Sequence, residues 1–115
     1  NSLLELMPKS YLKFEKIRKL INFSSDTIIL IKLNNKKLLL ITLDGSGFKI
    51  ISSEEFINFK KFVYLSLDLR LFYNILKNPK KFNWNNAEIG CHISWKRIPN
   101  VYDKSLMYCL NSLHI

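Results

Sequence analysis

A change of hydrophobic period at Asp68 constrains the fold of this chain more than any other feature of its sequence. In residues 63–67 apolar and polar side chains alternate, which predicts a half-buried strand. After Asp68 the apolar positions recur at helical spacing, at Leu69, Phe72, Tyr73 and Leu76. Asp68 can cap that helix, and Asn78-Pro79 ends it because proline disfavours helix in the residue before it. We therefore expect a strand that leads directly into a helix.

A second strand and a closing helix are predicted after a polar connection from Lys80 to Asn86. Alternation there places Ile89, Cys91, Ile93 and Trp95 on one face of the strand, and Glu88 and His92 on the other. This strand is expected to end at Ile98-Pro99-Asn100. The final helix is predicted from Val101 to His114, with Asp103 near its positive end. Its buried stripe consists of Tyr102, Leu106, Cys109, Leu110 and Leu113.

The N-terminal half predicts one helix and three strands. Pro8 suits the first turn of the helix, whose packing face would be Tyr11, Phe14, Ile17 and Ile21, with a possible ion pair between Glu15 and Lys19. Two apolar runs follow, Thr27–Leu33 and Lys37–Leu43, joined by a tight turn in which asparagine tolerates positive φ. The glycine pair of Asp44-Gly45-Ser46-Gly47 predicts a second turn, since the Lys and Ser/Thr of a phosphate-binding loop are missing. A third strand, Phe48–Ile51, and a capping box at Ser52–Glu55 complete this half.

The order of these elements predicts an α+β fold. Residues 1–115 form a single domain by length, and a hydrophobic content of 48% is sufficient for a core. Short, hairpin-type connections favour a mostly antiparallel five-stranded sheet with helices packed on one face. The chain begins with Asn rather than Met, so we expect a C-terminal segment of a longer chain.

The chain is basic, with a formal net charge of +9. Attraction to phosphates or to an anionic surface is one interpretation, with Trp84, among lysines and asparagines, either a platform on which a base could stack or a ring folded back onto the core. The other interpretation is biased composition, because arginine, the better residue for bidentate phosphate contacts, is scarce. A basic module that binds nucleic acid or an anionic surface is therefore the alternative function.

The residues do not predict a catalytic site, a metal site or a cofactor. Cys91 and His92 are consecutive on a strand, so their side chains point to opposite faces. Glu88 and His92 lack the third protein ligand that a catalytic zinc needs. Cys91 and Cys109 lie in apolar patterns, which indicates buried free thiols in a cytoplasmic domain. No apolar run reaches the roughly 18 residues of a transmembrane segment.

An apolar ligand site is predicted where bulky inward-facing residues meet under the closing helix. The candidate ligand-binding residues are Phe72, Leu76, Ile93, Trp95, Leu106, Cys109 and Leu110. The closing helix could cover either a cavity or a filled core, and a filled core is the usual outcome.

The C-terminal half resembles sterol-carrier-protein-2-like domains. The resemblance is carried by the strand-to-helix step at Leu67-Asp68-Leu69, by Ile89-Gly90 at the start of the next strand, and by a closing helix from Ser105 to Leu113. Two hairpin strands after an N-terminal helix agree with it, whereas the long Lys77–Asn86 connection and the segment from Trp95 to Asn100 depart from it.

The resemblance implies a binding function. Members of that family hold lipids or other apolar molecules between a sheet and helices, and some are C-terminal modules of metallo-β-lactamase-fold hydrolases. The expected function is therefore a non-catalytic accessory domain that binds an apolar small molecule or packs on a parent enzyme domain upstream of Asn1.

Overall fold

The computed structural model describes residues 2–84 and 93–115. Its helices are α1 (Ser2–Leu20), α2 (Leu69–Lys77) and α3 (Lys104–Leu110), together with a 3₁₀ helix (Ser53–Asn58). Its strands are β1 (Ser25–Lys32), β2 (Lys37–Leu43), β3 (Phe48–Ser52), β4 (Phe62–Leu67) and β5 (Ile93–Ile98). This order is the predicted one, and the α+β class is confirmed. Within the described ranges no helix is both long and apolar enough to cross a membrane.

The chain divides into two compact units. The helical unit comprises Asn1–Phe23, Leu67–Ile93 and Asp103–Ile115, as far as these ranges are described. The sheet unit comprises Ser24–Ser66 and Ser94–Tyr102.

The predicted change from strand to helix at Asp68 is confirmed. Asp68 has extended dihedral angles, φ −60° and ψ 129°, and lies between β4 and α2. Its Oδ1 accepts a hydrogen bond of 2.7 Å from the backbone N–H of Arg70, as a capping residue does. At the other end Asn78 caps α2, and its N–H donates to the carbonyl of Asn74. The helix therefore has a side-chain cap at its beginning, and its C-cap Asn78 directly precedes Pro79.

The sheet has five strands in the order β3-β2-β1-β4-β5. The pairs β1–β2 and β2–β3 are antiparallel, as predicted, whereas β4 lies beside β1 and runs parallel to it. The sheet is therefore mixed, and the prediction of a mostly antiparallel sheet is wrong. The reason is the connection between β3 and β4, which returns the chain to the far side of β1 at its starting end instead of forming a hairpin.

This connection crosses one face of the sheet, which we call the crossover face. It begins after Ser52, which pairs with Lys37, and reaches Phe62, which pairs with Ile28 at the opposite end of the strands. The predicted capping box is present at its start, since the Ser52 hydroxyl accepts from the N–H of Glu54 and the Glu55 carboxylate accepts from the N–H of Ser52. The helix that follows is 3₁₀.

Phe56 and Phe59 of the crossover pack on a cluster of buried apolar residues of the crossover face. The cluster consists of Leu30, Leu38, Leu40, Ile51 and Phe62, with Ile28 and Tyr64 beside it. The Phe56 ring contacts the Phe62 ring edge-on at 4.8 Å between centroids, and the Tyr64 ring at 5.2 Å. Edge-on contacts of this kind favour aromatic pairs beyond the area that they bury.

The alternate residues of the central strands lie on the opposite face of the sheet, because successive side chains of a strand point to opposite sides. They are fully or almost fully buried: Ile29, Ile31, Leu39, Ile41, Leu43, Val63 and Leu65. Burial on both faces explains why the sequence of β1 and β2 is nearly continuous in apolar residues.

The two hairpin turns differ in how they are stabilised. In the β1–β2 turn Asn34 Oδ1 accepts hydrogen bonds from the N–H groups of Lys36 and Lys37, at 2.8 and 2.9 Å. Asn34 does not adopt the positive φ that was expected in this turn, since Asn22 is the only non-glycine residue with positive φ in the described part of the chain. Asn34 therefore stabilises the turn through its side chain. In the β2–β3 turn Gly45 and Gly47 have φ values of 87° and 109°, which favour glycine.

Helix α1 begins at Ser2, so the predicted start at Pro8 is wrong and Pro8 lies inside the helix. Its buried residues recur at helical spacing: Leu3, Met7, Ser10, Phe14 and Arg18. The predicted face shared only Phe14 with this set, and Ile21 is 37% exposed. The six residues of α1 that precede Pro8 include the buried Leu3 and Met7, and these two side chains determine which side of the helix is buried.

A buried ion pair lies on α1. Arg18 donates to both carboxylate oxygens of Glu15, through Nε to Oε2 at 2.6 Å and through Nη2 to Oε1 at 2.8 Å. Arg18 Nη1 also donates to the carbonyl of Phe23 at 2.9 Å. Glu15 thus pairs with Arg18 and not with the predicted Lys19. The arginine guanidinium can donate to both oxygens of a carboxylate at once.

Helix α3 is shorter than predicted and spans Lys104–Leu110. Asp103 is its N-cap, with the side chain accepting from the N–H of Leu106 at 3.1 Å. Leu106, Cys109, Leu110 and Leu113 are buried as predicted, whereas Tyr102 is 60% exposed because it precedes the helix.

Candidate ligand pocket on the crossover face

The structure places six of the seven predicted ligand-binding residues in buried positions. Phe72, Leu76, Ile93, Leu106, Cys109 and Leu110 are all at most 7% exposed and belong to the helical unit. The seventh, Trp95, is half-buried in β5 and belongs to the sheet unit. None of the seven lines any of the three pockets described below. Their role as ligand contacts stays a prediction.

Trp84 packs in the interior of the helical unit. It is 1% exposed, its ring lies 5.6 Å from that of Phe72, and its indole Nε1 donates to the carbonyl of Leu113 at 3.2 Å. The chain end is held nearby, because the N–H of Ile115 donates to the carbonyl of Leu76 at 2.8 Å. The expectation that Trp84 is an exposed platform for nucleic-acid bases is therefore wrong. Its large apolar area was better buried than solvated.

Cys109 is a buried free thiol, as predicted. Burial raises its pKa from 9.0 to about 11, although the nearby Arg18 charge opposes this shift. The thiol is therefore neutral at physiological pH, and a neutral thiol is a poor nucleophile and metal ligand. Cys91, Glu88, His92 and Ile89 lie outside the described residues. In the part of the chain that is described, no three His, Cys, Asp or Glu residues are grouped as a metal site requires.

A pocket opens on the crossover face at the β2–β3 turn, and we call it the hairpin pocket. Its volume is about 310 Å³. Its lining includes Ile28 of β1, Leu40 and Thr42 of β2, Ser46 and Gly47 of the turn, and Lys49 of β3. Phe48 also lines it, although its pairing with Ile41 directs its side chain to the opposite face of the sheet. The Phe56 ring contacts Phe62 and Tyr64 of β4, on one side of β1, whereas the hairpin pocket extends over β2 and β3 on the other side of β1.

The turn that borders the hairpin pocket is fixed by hydrogen bonds. Thr42 Oγ1 donates to the carbonyl of Gly47 at 2.8 Å, and the Thr42 N–H donates to the same carbonyl at 3.1 Å. Asp44 Oδ1 accepts from the N–H of Ser46 at 2.9 Å. Hydrogen bonds from the Ser46 side chain and backbone lower the pKa of the Asp44 carboxyl, which keeps it ionised. The wall of the pocket is thus pre-formed.

Lys49 supplies the charge of the hairpin pocket. It pairs with Leu40 in the antiparallel register, and directly opposed residues project to the same face of the sheet. Its side chain therefore lies on the crossover face, where Leu40 forms part of the pocket lining. Among residues 2–84 and 93–115 it has no ion-pair partner.

A second pocket on the sheet unit also includes Ile28 in its lining. Its volume is about 340 Å³, and its other lining residues are Asp26, Asn58, Phe59, Lys60 and Lys61. The Lys61 ammonium is 3.3 Å from the Asp26 carboxylate, with both side chains largely exposed. This lysine is therefore compensated, which distinguishes it from Lys49.

A third pocket, of about 350 Å³, lies on the helical unit and is lined by Asp68, Arg70, Leu71, Asn74 and Phe82. Arg70 donates through Nη2 to Asp68 at 3.2 Å, and this contact lowers the pKa of the Asp68 carboxyl. Asp68 is committed to capping α2, so both charges already have structural partners. The hairpin pocket is the best candidate site, because its described lining combines apolar residues with a lysine and, unlike the linings of the other two pockets, includes no carboxylate.

Besides its hydrophobic period, the sequence contains one signal for this pocket, which is the position of Lys49. Lys49 interrupts the apolar face of β3, two residues before the buried Ile51 on the same face. A charged residue at an inward register position next to a glycine turn is the pattern that would have indicated it. The turn itself was predicted correctly, and the phosphate-binding alternative was rejected on its residues.

No family model, no curated protein and no solved structure matches this chain.

Proposed function

We propose that this chain is a non-catalytic binding domain for a small, largely apolar molecule, and that the hairpin pocket holds this ligand. The observation that carries the proposal is an apolar lining formed by Ile28, Leu40 and Phe48 in a concave space of about 310 Å³. Ligand pockets are typically about 300–1,000 Å³ and mainly apolar, with a few polar groups that orient the ligand. The volume therefore fits a small molecule.

The ligand that fits best has one anionic group on an apolar body. The apolar part would lie against Ile28, which is only partly buried, and beside Leu40, and removal of the apolar surface of the ligand from water would supply most of the affinity. The anionic group would lie at the rim beside Lys49, which has no ion-pair partner among the described residues. A rim contact of this kind orients the ligand more than it strengthens binding.

The resemblance to sterol-carrier-protein-2-like domains supports the same ligand class, since members of that family bind lipids. We include in the proposal the layer arrangement of those domains, with helices on one face of the sheet. The accessory role, beside a parent hydrolase domain, rests on that resemblance alone.

The proposal is tested by calorimetric titration with decanoate and with decanol, which share an apolar chain and differ in charge. The wild-type protein should bind both, and decanoate about two- to fivefold more tightly, as expected for a solvent-exposed ion pair. Lys49→Gln should remove this preference while decanol binding stays unchanged. Lys36→Gln, which removes an exposed charge at the other hairpin, is the matched control and should keep the preference.

A second variant tests the location. Thr42→Trp places a large side chain in the hairpin pocket and should abolish the binding of both probes. If Thr42→Trp keeps its circular dichroism spectrum and still binds decanol with wild-type affinity, the hairpin pocket is not the site. If the wild-type protein binds neither probe, the proposed function is wrong.

A further inference from the structure

A second feature of the sheet unit, separate from the hairpin pocket, is an arginine within cation–π distance of two aromatic rings. Arg97 Cζ lies 5.0 Å from the ring centroid of Trp95 and 5.7 Å from that of Tyr102. Both distances are within the roughly 6 Å at which a cation interacts with an aromatic face. We call this group the arginine stack.

The local sequence explains the arginine stack. Trp95 and Arg97 are two residues apart on β5, so their side chains lie on the same face. After β5 the chain turns tightly, with the N–H of Val101 donating to the carbonyl of Pro99 at 2.8 Å. This turn brings Tyr102 back towards Arg97. The stack is therefore assembled from residues within a stretch of eight.

The hydrogen-bonding capacity of the stack is unused within the described part of the chain. A guanidinium has five N–H donors at its edge, and stacking on aromatic rings through its flat face leaves that edge available. Arg97 makes no ion pair and no hydrogen bond with a residue of 2–84 or 93–115. The other two arginines differ, since Arg18 and Arg70 are each paired with a carboxylate.

The indole of the same stack carries a second unused donor. Trp95 Nε1 is shielded from solvent and has no hydrogen-bond acceptor among residues 2–84 and 93–115. A shielded donor without a partner is rare in native proteins and calls for an explanation, such as an absent water or ligand. The indole of Trp84, by contrast, is bonded to the carbonyl of Leu113.

We propose that the arginine stack is an oxyanion site that recognises a phosphate group. Aromatic rings that restrict a guanidinium reduce the entropy lost when its edge binds two oxygens of a planar or tetrahedral anion. Neighbouring residues are apolar and exposed, with Ile98 at 42% and Val101 at 67%. The phosphate can belong to a lipid headgroup or to a free phosphate, and the two sources are separated experimentally.

The experiment uses the indole N–H signals of the two tryptophans in ¹H–¹⁵N spectra. Titration with inorganic phosphate should shift the Trp95 signal, whereas that of Trp84, bonded inside the helical unit, serves as an internal reference and should not move. Arg97→Gln and Arg97→Lys should each weaken phosphate binding by about tenfold or more, since both lose the bidentate contact. Arg70→Lys is the matched control and should bind as the wild type does.

Tyr102 provides a variant that leaves the charge intact. Tyr102→Leu removes one ring of the stack and should weaken phosphate binding several-fold, whereas Tyr102→Phe should not. Because Tyr102 is 60% exposed, neither change should affect folding, and the unchanged Trp84 signal verifies this.

Vesicles of phosphatidylcholine, with and without phosphatidic acid, form the second arm. A Trp95 shift with inorganic phosphate that Arg97→Lys removes supports a free phosphate as the source. Arg97-dependent co-sedimentation with phosphatidic acid vesicles, without a response to inorganic phosphate, supports a lipid headgroup. If neither probe responds, the inference is overturned. It is also overturned if Arg97→Lys binds phosphate as tightly as the wild type and the control Arg70→Lys do.

Discussion

Breaking the buried ion pair of α1 is the perturbation whose cost follows most directly from the structure. In Glu15→Gln the Arg18 guanidinium keeps its charge, because arginine is not deprotonated in proteins, but it loses its anionic partner. The hydrogen bond to Glu15 raises the pKa of Arg18 further, against the effect of burial. The charge therefore cannot be relieved by proton loss and remains in a site where each side chain is 11% exposed.

Removing one partner of a buried ion pair costs about 3–5 kcal/mol. We expect about 3 kcal/mol for Glu15→Gln, since the amide oxygen can still accept one of the two hydrogen bonds that Arg18 donates. For a chain of this size the change lowers the melting temperature by roughly 10–15 °C. Urea denaturation followed by circular dichroism measures the free energy of unfolding directly.

Two comparisons make the result specific. Lys61→Gln breaks the pair with Asp26, whose side chains are 55% and 75% exposed, and should cost less than about 1 kcal/mol. The double variant Glu15→Met with Arg18→Met removes both charges and should be more stable than Glu15→Gln alone. If Glu15→Gln is no less stable than Lys61→Gln, the pair is not buried in the way described, and the reasoning is refuted.

Three further predictions concern the helical unit. Phe72→Ala should lower the free energy of unfolding by about 3–5 kcal/mol, because it removes a fully buried ring that contacts Trp84; a melting temperature equal to the wild type would contradict this. Asp68→Ala should cost about 0.5–2 kcal/mol through loss of the α2 cap, and Asp68→Asn much less, as urea denaturation would show. Cys109 in a Cys91→Ser background should react with a disulfide reagent only on unfolding. Because folding raises its pKa from 9.0 to about 11, the unfolded state ionises first, and stability should fall between pH 9 and about 11; a Cys109→Ser variant should lack that part of the pH dependence.

The features that the sequence predicted well are set by near neighbours. The cap at Asp68 depends on Arg70, two residues away, and the capping box of Ser52 depends on Glu54 and Glu55. In such cases the residues that satisfy the backbone groups are themselves adjacent in the sequence. The step from β4 to α2, which depends on hydrophobic period, was correct for the same reason, whereas the start of α1 and the length of α3 were not.

The pairing of β1 with β4 could not be predicted in this way. Ile28 and Phe62 are partners across more than thirty residues, and the alternation of each strand is the same for a parallel or an antiparallel neighbour. The direction is decided by the crossover, whose Phe56 packs on the sheet, and hydrophobic period does not distinguish a crossover from a hairpin connection.

The hairpin pocket was not among the sites that the sequence predicted, for a related reason. Bulky apolar residues such as Phe72 and Leu110 indicate a buried region, but the pattern does not say whether other residues of the chain fill it. Trp84, which lies in a polar and basic segment, contacts Phe72 and is itself buried. A pocket instead lies beside the β2–β3 turn, next to Ile28 and Leu40, and only the three-dimensional path of the chain determines this.

Mapping of bound decanoate by backbone amide shifts in ¹H–¹⁵N spectra tests the proposed site most directly. We expect the largest shifts at residues that line the hairpin pocket: Ile28, Leu40, Gly47, Phe48 and Lys49. Shifts that are largest at Leu106, Cys109 and Leu110 would instead place the ligand under the closing helix, and would contradict the hairpin pocket as the binding site.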